Sequence, residues 1–171
     1  MQIVNIVASG DLHQKISLPE LKEQLGDLMR YDTAKYHGGY LDLGGIKATI
    51  YQSGKYIFSG VKSVDDVREY YKRLSDILSA YLDSSLFAEP TVRNLVAVHQ
   101  YPHEFNLPAL FTEKLVGLAE FEPEVFPSII WKVEGKGSVL IFGSGKVVYT
   151  GVKSGELLEE LHAFVKETVD V

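Results

Sequence analysis

Runs of β-branched and alternating apolar residues predict four strands in the first half of the chain. These strands cover residues 3–8, 36–43, 47–51 and 56–61. Residues 52–55, with Ser-Gly at their centre, predict a hairpin turn between the last two strands. The pattern leaves one gap of helical length after the first strand and another after the fourth.

Helix signals fill both gaps. Ser17, Pro19 and Glu20 predict a helix that starts with a serine cap and runs to about Met29. Ser63 caps a second predicted helix, in which apolar residues recur at steps of three and four and form one inward-facing stripe. The stripe comprises Val64, Val67, Tyr71, Leu74, Leu78 and Tyr81.

The second half of the chain repeats this order of elements. Residues 92–97 correspond to the first strand, and Asn106 begins a helix 89 residues after Ser17 (106 − 17 = 89). Ser154 caps a last helix, whose predicted inward residues are Leu157, Leu158, Leu161, Phe164 and Val165. Further predicted strands are residues 121–126, 129–134 and 139–142. Two such halves predict one continuous antiparallel sheet with helices on one face, an α+β fold.

The clearest internal repeat joins residues 47–63 to residues 138–154, at an offset of 91 (154 − 63 = 91). A repeat of this length in 171 residues indicates two copies of one unit. The identical pairs are Ile50/Ile141, Ser53/Ser144, Gly54/Gly145, Lys55/Lys146, Gly60/Gly151, Val61/Val152, Lys62/Lys153 and Ser63/Ser154.

Alternation along the repeated strands separates two faces of the predicted sheet. One face is predicted to lie under the helices and holds Tyr56, Phe58, Val147 and Tyr149. The opposite face holds Thr49, Tyr51, Lys55, Ile57 and Ser59, with Leu140, Phe142, Lys146, Val148 and Thr150 in the second half. A wide, mostly apolar face with charged edges and no covering layer indicates a binding surface.

Charge and composition narrow the class of protein. The net charge of −6 argues by itself against nucleic-acid binding, but lysines lie in the repeated strands and many acids lie in the helical stretches, which predicts a basic rim and an acidic back. There is no cysteine, no apolar run of membrane-spanning length and no signal-peptide pattern at the N-terminus. We therefore expect an intracellular protein.

The repeated motifs resemble the TATA-box-binding protein family, in its short archaeal form. The motifs are Asn5-Ile-Val-Ala with Asn94-Leu-Val-Ala, Ser53-Gly-Lys and Ser59-Gly-Val-Lys with Phe142-Gly-Ser-Gly-Lys and Thr150-Gly-Val-Lys, and Glu122-Pro-Glu-Val-Phe-Pro127. The resemblance covers essentially the whole chain. It implies a saddle: a curved ten-stranded antiparallel sheet with helices on the convex face, built from repeats at 1–84 and 90–171 that fuse into one structural domain.

The resemblance also implies that the concave face binds the minor groove of A·T-rich promoter DNA. Asn5 and Asn94 would donate to the base acceptors displayed there, although asparagines satisfied by the backbone are the alternative. Ser59 and Thr150 would be hydroxyl partners, and ordinary strand positions are their alternative. The apolar floor would comprise Val7, Val96, Ile57, Val148 and Leu140, for which core positions are the alternative.

Members of the family, a standard example of DNA kinking, wedge aromatic pairs between base steps. Phe126 and Phe142 match this pair in the second half, and Pro127 follows Phe126 directly. Tyr36 and Tyr51 take these positions in the first half. Lysines at phosphate-binding positions of the family are Lys55, Lys62, Lys132, Lys146 and Lys153. The first-half counterpart of Lys132 is Asp42, a charge reversal.

One segment of the second half, Glu122-Pro-Glu124-Val125, resembles the family's docking patch for transcription factor B. The resemblance implies that RNA polymerase is an indirect partner, recruited through transcription factor B. An acidic surface turn is the alternative. The resemblance implies no cofactor and no metal. An empty saddle could also self-associate.

Other functions fit less well. The histidines at 13, 37, 99, 103 and 162 are scattered, and Pro102 argues against one helix that presents His99 and His103 to a metal. Gly143-Ser-Gly145 joins two strands and is not a phosphate-binding loop. We therefore expect no enzyme; the alternatives are a diverged member that binds proteins and a domain borrowed by a nuclease or glycosylase.

Overall fold

The computed structural model describes residues 1–32, 34 and 37–169. The chain divides into two compact units, one of residues 5–93 and one that joins residues 1–4 to the chain from residue 94 onward. Each unit contains strands and helices in the same order, which agrees with the internal sequence repeat.

Within the described residues ten strands form one open antiparallel sheet, and four α-helices accompany them, which confirms the predicted fold class. In the first half the order across the sheet is β2-β3-β4-β5-β1, and in the second it is β6-β10-β9-β8-β7. The first-half elements are β1 Gln2–Asp11, α1 Leu18–Leu25, β2 Met29–Arg30, β3 Gly38–Asp42, β4 Lys47–Tyr51, β5 Lys55–Val61 and α2 Val64–Leu78. The second-half elements are β6 Thr91–Gln100, α3 Leu107–Leu110, β7 Glu120–Phe121, β8 Ser128–Val133, β9 Gly137–Phe142, β10 Lys146–Val152 and α4 Gly155–Val169.

The long helices begin where the sequence predicted them. The Ser63 hydroxyl accepts a hydrogen bond from the Asp66 N–H at 3.1 Å, and the Ser154 hydroxyl accepts one from the Leu157 N–H at 3.2 Å. Each bond satisfies a backbone donor that the first turn of a helix leaves unpaired. Ser17 occupies the cap position of α1, but its side chain makes no such bond.

Helix α1 ends four residues before the predicted position. Gly26 adopts a φ of +57°, a backbone conformation that glycine tolerates and that ends the helix after Leu25. A short 3₁₀ turn follows, and Met29 is instead buried at the start of β2. Local apolar spacing could not distinguish these outcomes, because a buried methionine fits either a helix or a strand.

Three further expectations were wrong in detail. Residues 121–126 do not form one strand: β7 stops at Phe121, and a turn follows. The α2 stripe is also shorter than predicted, because Val64 is exposed and Tyr81 lies beyond the end of the helix. In α4 Phe164 is 41% exposed, although its ring lies 5.2 Å from that of Trp131.

One face of each half-sheet packs against the helices, as the alternation predicted. Tyr56, Phe58, Val147 and Tyr149 are all fully buried. The Tyr56 ring stacks on Tyr71 of α2 at 6.3 Å, and its hydroxyl donates to the Ala88 carbonyl at 2.7 Å. The core of each half therefore lies on one side of its strands, and the side chains on the other side remain accessible to solvent.

The helix-covered side of the second unit brings together two histidines that are far apart in sequence. The rings of His99 on β6 and His162 on α4 lie 4.8 Å apart. Burial lowers the pKa of both imidazoles below the ordinary value, with smaller contributions from Lys166 and the N-terminal amino group. Glu159 acts in the opposite direction on the His162 pKa. Tyr149 bonds His162 Nδ1 at 2.6 Å.

We expect the second unit to lose stability as the pH falls from 7 to 5. Because the folded pKa values are lowered, the unfolded chain binds more protons below about pH 6.5, and the stability that is present above this pH is lost as the pH falls through the folded values. Thermal unfolding at both pH values should show the midpoint falling, and His99→Gln should reduce the fall. An equal fall in this variant would show that other groups cause it.

Candidate nucleic-acid interface

The side of each half-sheet that faces away from the helices carries a row of half-buried side chains. In the first unit the cross-strand neighbours Tyr40, Thr49, Ile57 and Ser9 follow one another across β3, β4, β5 and β1. In the second unit the same positions hold Ile130, Leu140, Val148 and Val98. Each row is an exposed strip on its own unit, and the second is the more apolar.

None of the five residues predicted for the apolar floor is buried. Val7, Ile57, Val96, Val148 and Leu140 are all half-buried, whereas their neighbours along each strand are fully buried under the helices. The core alternative therefore does not apply to these five residues.

The sequence interpretation missed four members of the two rows. They are Ser9, Tyr40, Val98 and Ile130. Strand alternation could have found Ser9 and Val98, because they follow Val7 and Val96 by two residues. The first unit has Ser9 and Thr49 where the second unit has Val98 and Leu140, so the first-unit row is the more polar.

The two asparagines have the same geometry in their separate units. Asn5 Oδ1 accepts a hydrogen bond from the Gly60 N–H at 2.8 Å, and Asn94 Oδ1 accepts one from the Gly151 N–H, also at 2.8 Å. Both side chains are half-buried. A backbone group therefore satisfies the side-chain oxygen of each asparagine, as the alternative interpretation expected. The side-chain nitrogen makes no hydrogen bond within the described part of the chain.

Phe126 and Phe142 are brought together, as the sequence predicted. Their rings lie 6.0 Å apart in an edge-to-face arrangement, and the Lys146 ammonium lies 5.4 Å from the Phe142 ring centre. Phe126 is 40% exposed and follows the turn before β8, next to exposed Pro127. In the first unit Tyr51 is half-buried and pairs with Gly38, whereas Tyr36 lies outside the described residues.

The predicted phosphate contacts all lie at the surface. Lys55, Lys62, Lys146 and Lys153 are exposed. Lys132 is exposed as well, and its ammonium lies 3.6 Å from a carboxylate oxygen of Glu120. An exposed pair of this kind contributes little stability, so a phosphate could displace Glu120 at small cost. Ser59 is exposed and Thr150 half-buried.

Asp42 has a local structural role that the sequence did not reveal. Its Oδ1 accepts a hydrogen bond from the Gly44 N–H at 2.8 Å, within the turn that joins β3 to β4. Asp42 also pairs with Lys47 across the two strands, as Lys132 pairs with Ser138 in the second unit. The charge reversal at this position therefore accompanies an Asx turn.

The DNA-binding expectation predicts that Asp42→Asn tightens binding about two- to threefold at low salt, because this variant removes a negative charge and keeps the oxygen that accepts from Gly44. Asp42→Arg would also remove this turn contact, so its effect on binding would combine a change of charge with a change of local folding. Titrations at two salt concentrations measure the effect, with Asp27→Asn as an exposed control. Equal responses of both variants would show that residue 42 lies off the DNA path.

The segment predicted to bind transcription factor B is a compact exposed turn. The Glu122 carbonyl accepts hydrogen bonds from the N–H groups of Val125 and Phe126, both at 2.9 Å. Glu122 and Glu124 are exposed, and Val125 is 78% exposed. The turn presents an exposed apolar side chain next to exposed carboxylates.

Comparisons with known proteins identify the family. The family model described as "Transcription factor TFIID (or TATA-binding protein, TBP)" matches residues 1–81 and again residues 89–169. The chain belongs to the TATA-box-binding protein family. The two matches cover both halves of the internal repeat, so the family pattern accounts for nearly the whole chain.

Relatives of the family align along almost their full length. TATA-box-binding protein C of Halobacterium salinarum is 32% identical over 99% of this chain and 97% of its own length. The TATA-box-binding protein of Thermoplasma acidophilum is 35% identical over 96% of this chain and 91% of its own. The solved structure of Methanococcus jannaschii TBP matches with a TM-score of 0.79 at 30% identity, covering 99% of this chain and 97% of that one.

Proposed function

We propose that this protein is a general transcription initiation factor that binds the minor groove of A·T-rich promoter DNA through the exposed side of its sheet. The observation that carries the proposal is the pair of asparagines, whose oxygens are held by backbone N–H groups and whose NH₂ groups remain as donors. The A·T minor groove displays acceptors only. Full-length relatives named TATA-box-binding proteins favour this function over a protein-binding module.

The rows beside the asparagines would form the contact with sugars and base edges. Val7, Ile57, Val96, Leu140 and Val148 are apolar and accessible. Apolar surface of this kind loses water on contact and contributes without regard to base sequence. Ser59 and Thr150 would add hydroxyl groups next to the asparagines.

Aromatic side chains in each unit would open base steps. Phe126 and Phe142 are already in contact, so little ordering is needed before they insert. Tyr51, with Tyr36, would act in the first unit, where a buried hydroxyl needs a partner. We expect the two units to bend DNA unequally for this reason.

The lysines would hold phosphates around this face. Lys55, Lys62, Lys132, Lys146 and Lys153 each add a positive charge to an acidic protein. Each phosphate contact releases counterions and steepens the dependence of binding on salt by about one unit. Binding by a protein of net charge −6 should therefore depend strongly on salt.

Transcription factor B would dock on the turn of Glu122, Glu124 and Val125, and RNA polymerase would follow through it. The exposed Val125 beside the exposed Glu124 supports this role, because such a surface suits a basic partner with an apolar pocket. The segment also differs in sequence from its first-half counterpart, Tyr31-Asp-Thr-Ala-Lys, and would give the complex a direction. The location that we propose is the cytoplasm; no helix in the described ranges could span a membrane.

Mobility-shift and bending assays test the proposal. An A·T-rich promoter duplex and a G·C-rich control are titrated at two salt concentrations, with and without transcription factor B. We expect specific, salt-sensitive, bent complexes on the A·T-rich duplex that transcription factor B stabilises further. The absence of any specific complex, even with this partner, would favour a protein-binding function instead.

A further inference from the structure

We propose that the backbone N–H groups of Gly60 and Gly151 act as locks that fix the flip state of the Asn5 and Asn94 amides, and that these locks set the preference for A·T over G·C pairs. The inference rests on the proposed function and deepens it. The glycines are positioning residues, since they would act through the asparagines and need not touch DNA.

Each lock is built from a β-bulge. In the first unit Ile6 pairs with Val61 but Ala8 pairs with Phe58, so β5 carries one extra residue against β1. Gly60 lies in this bulge with a φ of +82°. A bulge leaves backbone groups outside the regular ladder, and the Gly60 N–H donates instead to Asn5 at 2.8 Å.

The second unit has the same construction. Tyr149 pairs with Ala97 but Val152 pairs with Leu95, which places an extra residue in β10. Gly151 has a φ of +71° in this bulge, and its N–H donates to Asn94 at 2.8 Å. The conformation explains why a glycine follows Ser59 and Thr150 in the two repeats.

The bond decides which amide atom faces the solvent. A backbone N–H can only donate, so the asparagine atom that faces it must be the oxygen. A flipped amide would place NH₂ against N–H and leave both donors unsatisfied, which disfavours the flipped state by about tenfold or more. The Nδ2 groups of Asn5 and Asn94 therefore point away from the glycines.

A fixed donor has a direct consequence for base selection. Adenine N3 and thymine O2 accept from it, whereas guanine adds an exocyclic amino group that is itself a donor. A free asparagine could flip and accept from that amino group. A locked one cannot, so an amino group in the minor groove should weaken binding by about tenfold at each contacted step.

An ester substitution tests the lock. Glycolic acid in place of Gly151, introduced during cell-free synthesis, replaces the N–H with an ester oxygen and leaves the backbone free to keep its conformation. The same exchange at Gly135, which has a φ of +73° in the turn between β8 and β9, is the matched control. Thermal unfolding of both proteins checks folding.

The DNA probes differ by a single group. One is an A·T-rich duplex, and the other carries diaminopurine in place of adenine at the central steps, which adds only the minor-groove amino group. We expect the unmodified protein and the Gly135 ester to prefer the A·T duplex about 100-fold, tenfold for each of the two locked asparagines, and the Gly151 ester to prefer it about tenfold, because only the Asn94 lock is removed. A merely structural glycine would weaken binding to both probes and leave their ratio unchanged.

The outcomes separate the two proposals. Failure of the unmodified protein to bind the A·T duplex would overturn the proposed function and the lock with it. Normal binding with an unchanged ratio in the Gly151 ester would overturn the lock alone. If the ester does not fold, NMR of the unmodified protein decides: scalar coupling between the glycine nitrogen and asparagine Cγ is expected in both units, and its absence overturns the lock.

Discussion

Replacing Phe142 with alanine is expected to abolish most of the DNA bend and to weaken specific binding about 10- to 100-fold. The Phe142 ring packs edge-to-face on Phe126 at 6.0 Å, so the variant removes one aromatic face and leaves the other unsupported. Stacking of a base on an aromatic side chain contributes about 1–3 kcal/mol. Mobility-shift titration measures the affinity. Mobility of DNA fragments in which the position of the binding site is circularly permuted measures the bend angle.

Phe164→Ala is the matched control for this experiment. Phe164 is also a partly exposed phenylalanine that contacts one aromatic ring, but it lies on α4, away from the exposed strand rows. We expect it to keep the bend and the affinity. Salt-dependent, non-specific binding by Phe142→Ala should persist, because the lysines remain. Unchanged specific affinity in Phe142→Ala would count heavily against the proposed function.

Replacing Glu124 with arginine is expected to weaken the ternary complex with transcription factor B about 100-fold and to leave binary DNA binding within twofold. Glu124 lies at the exposed turn held by the Glu122 carbonyl, and its side chain makes no contact in the described structure on which the fold depends. Reversing one charge in a complementary interface replaces attraction with repulsion. Supershift titration of preformed DNA complexes measures the effect.

Glu167→Arg serves as the control for charge reversal as such, because Glu167 is an exposed acid in the last turn of α4. Both variants change the net charge from −6 to −4 and should respond alike to salt. Persistence of the ternary complex in Glu124→Arg would remove this turn from the docking surface. Equal loss in both variants would show that total charge, and not position, controls the partner.

Much of the architecture followed from the sequence, because it depends on short-range patterns. Period-two alternation placed Tyr56, Phe58, Val147 and Tyr149 on one face, and serine caps marked the starts of α2 and α4. The repeat at an offset of about 90 residues predicted two matching units, and its motifs indicated the family. Each of these signals lies within one strand, one helix turn or one copied segment.

The tertiary structure decided what depends on register and on distant contacts. Asn5 and Gly60 are 55 residues apart, and they meet only because a bulge in β5 shifts its register against β1. Likewise, His99 and His162 meet because α4 packs on β6 and β10. The sequence thus determined which residue types face outward, whereas only the fold decided how each amide is held, since a hydrogen bond across a sheet leaves no local pattern in the chain.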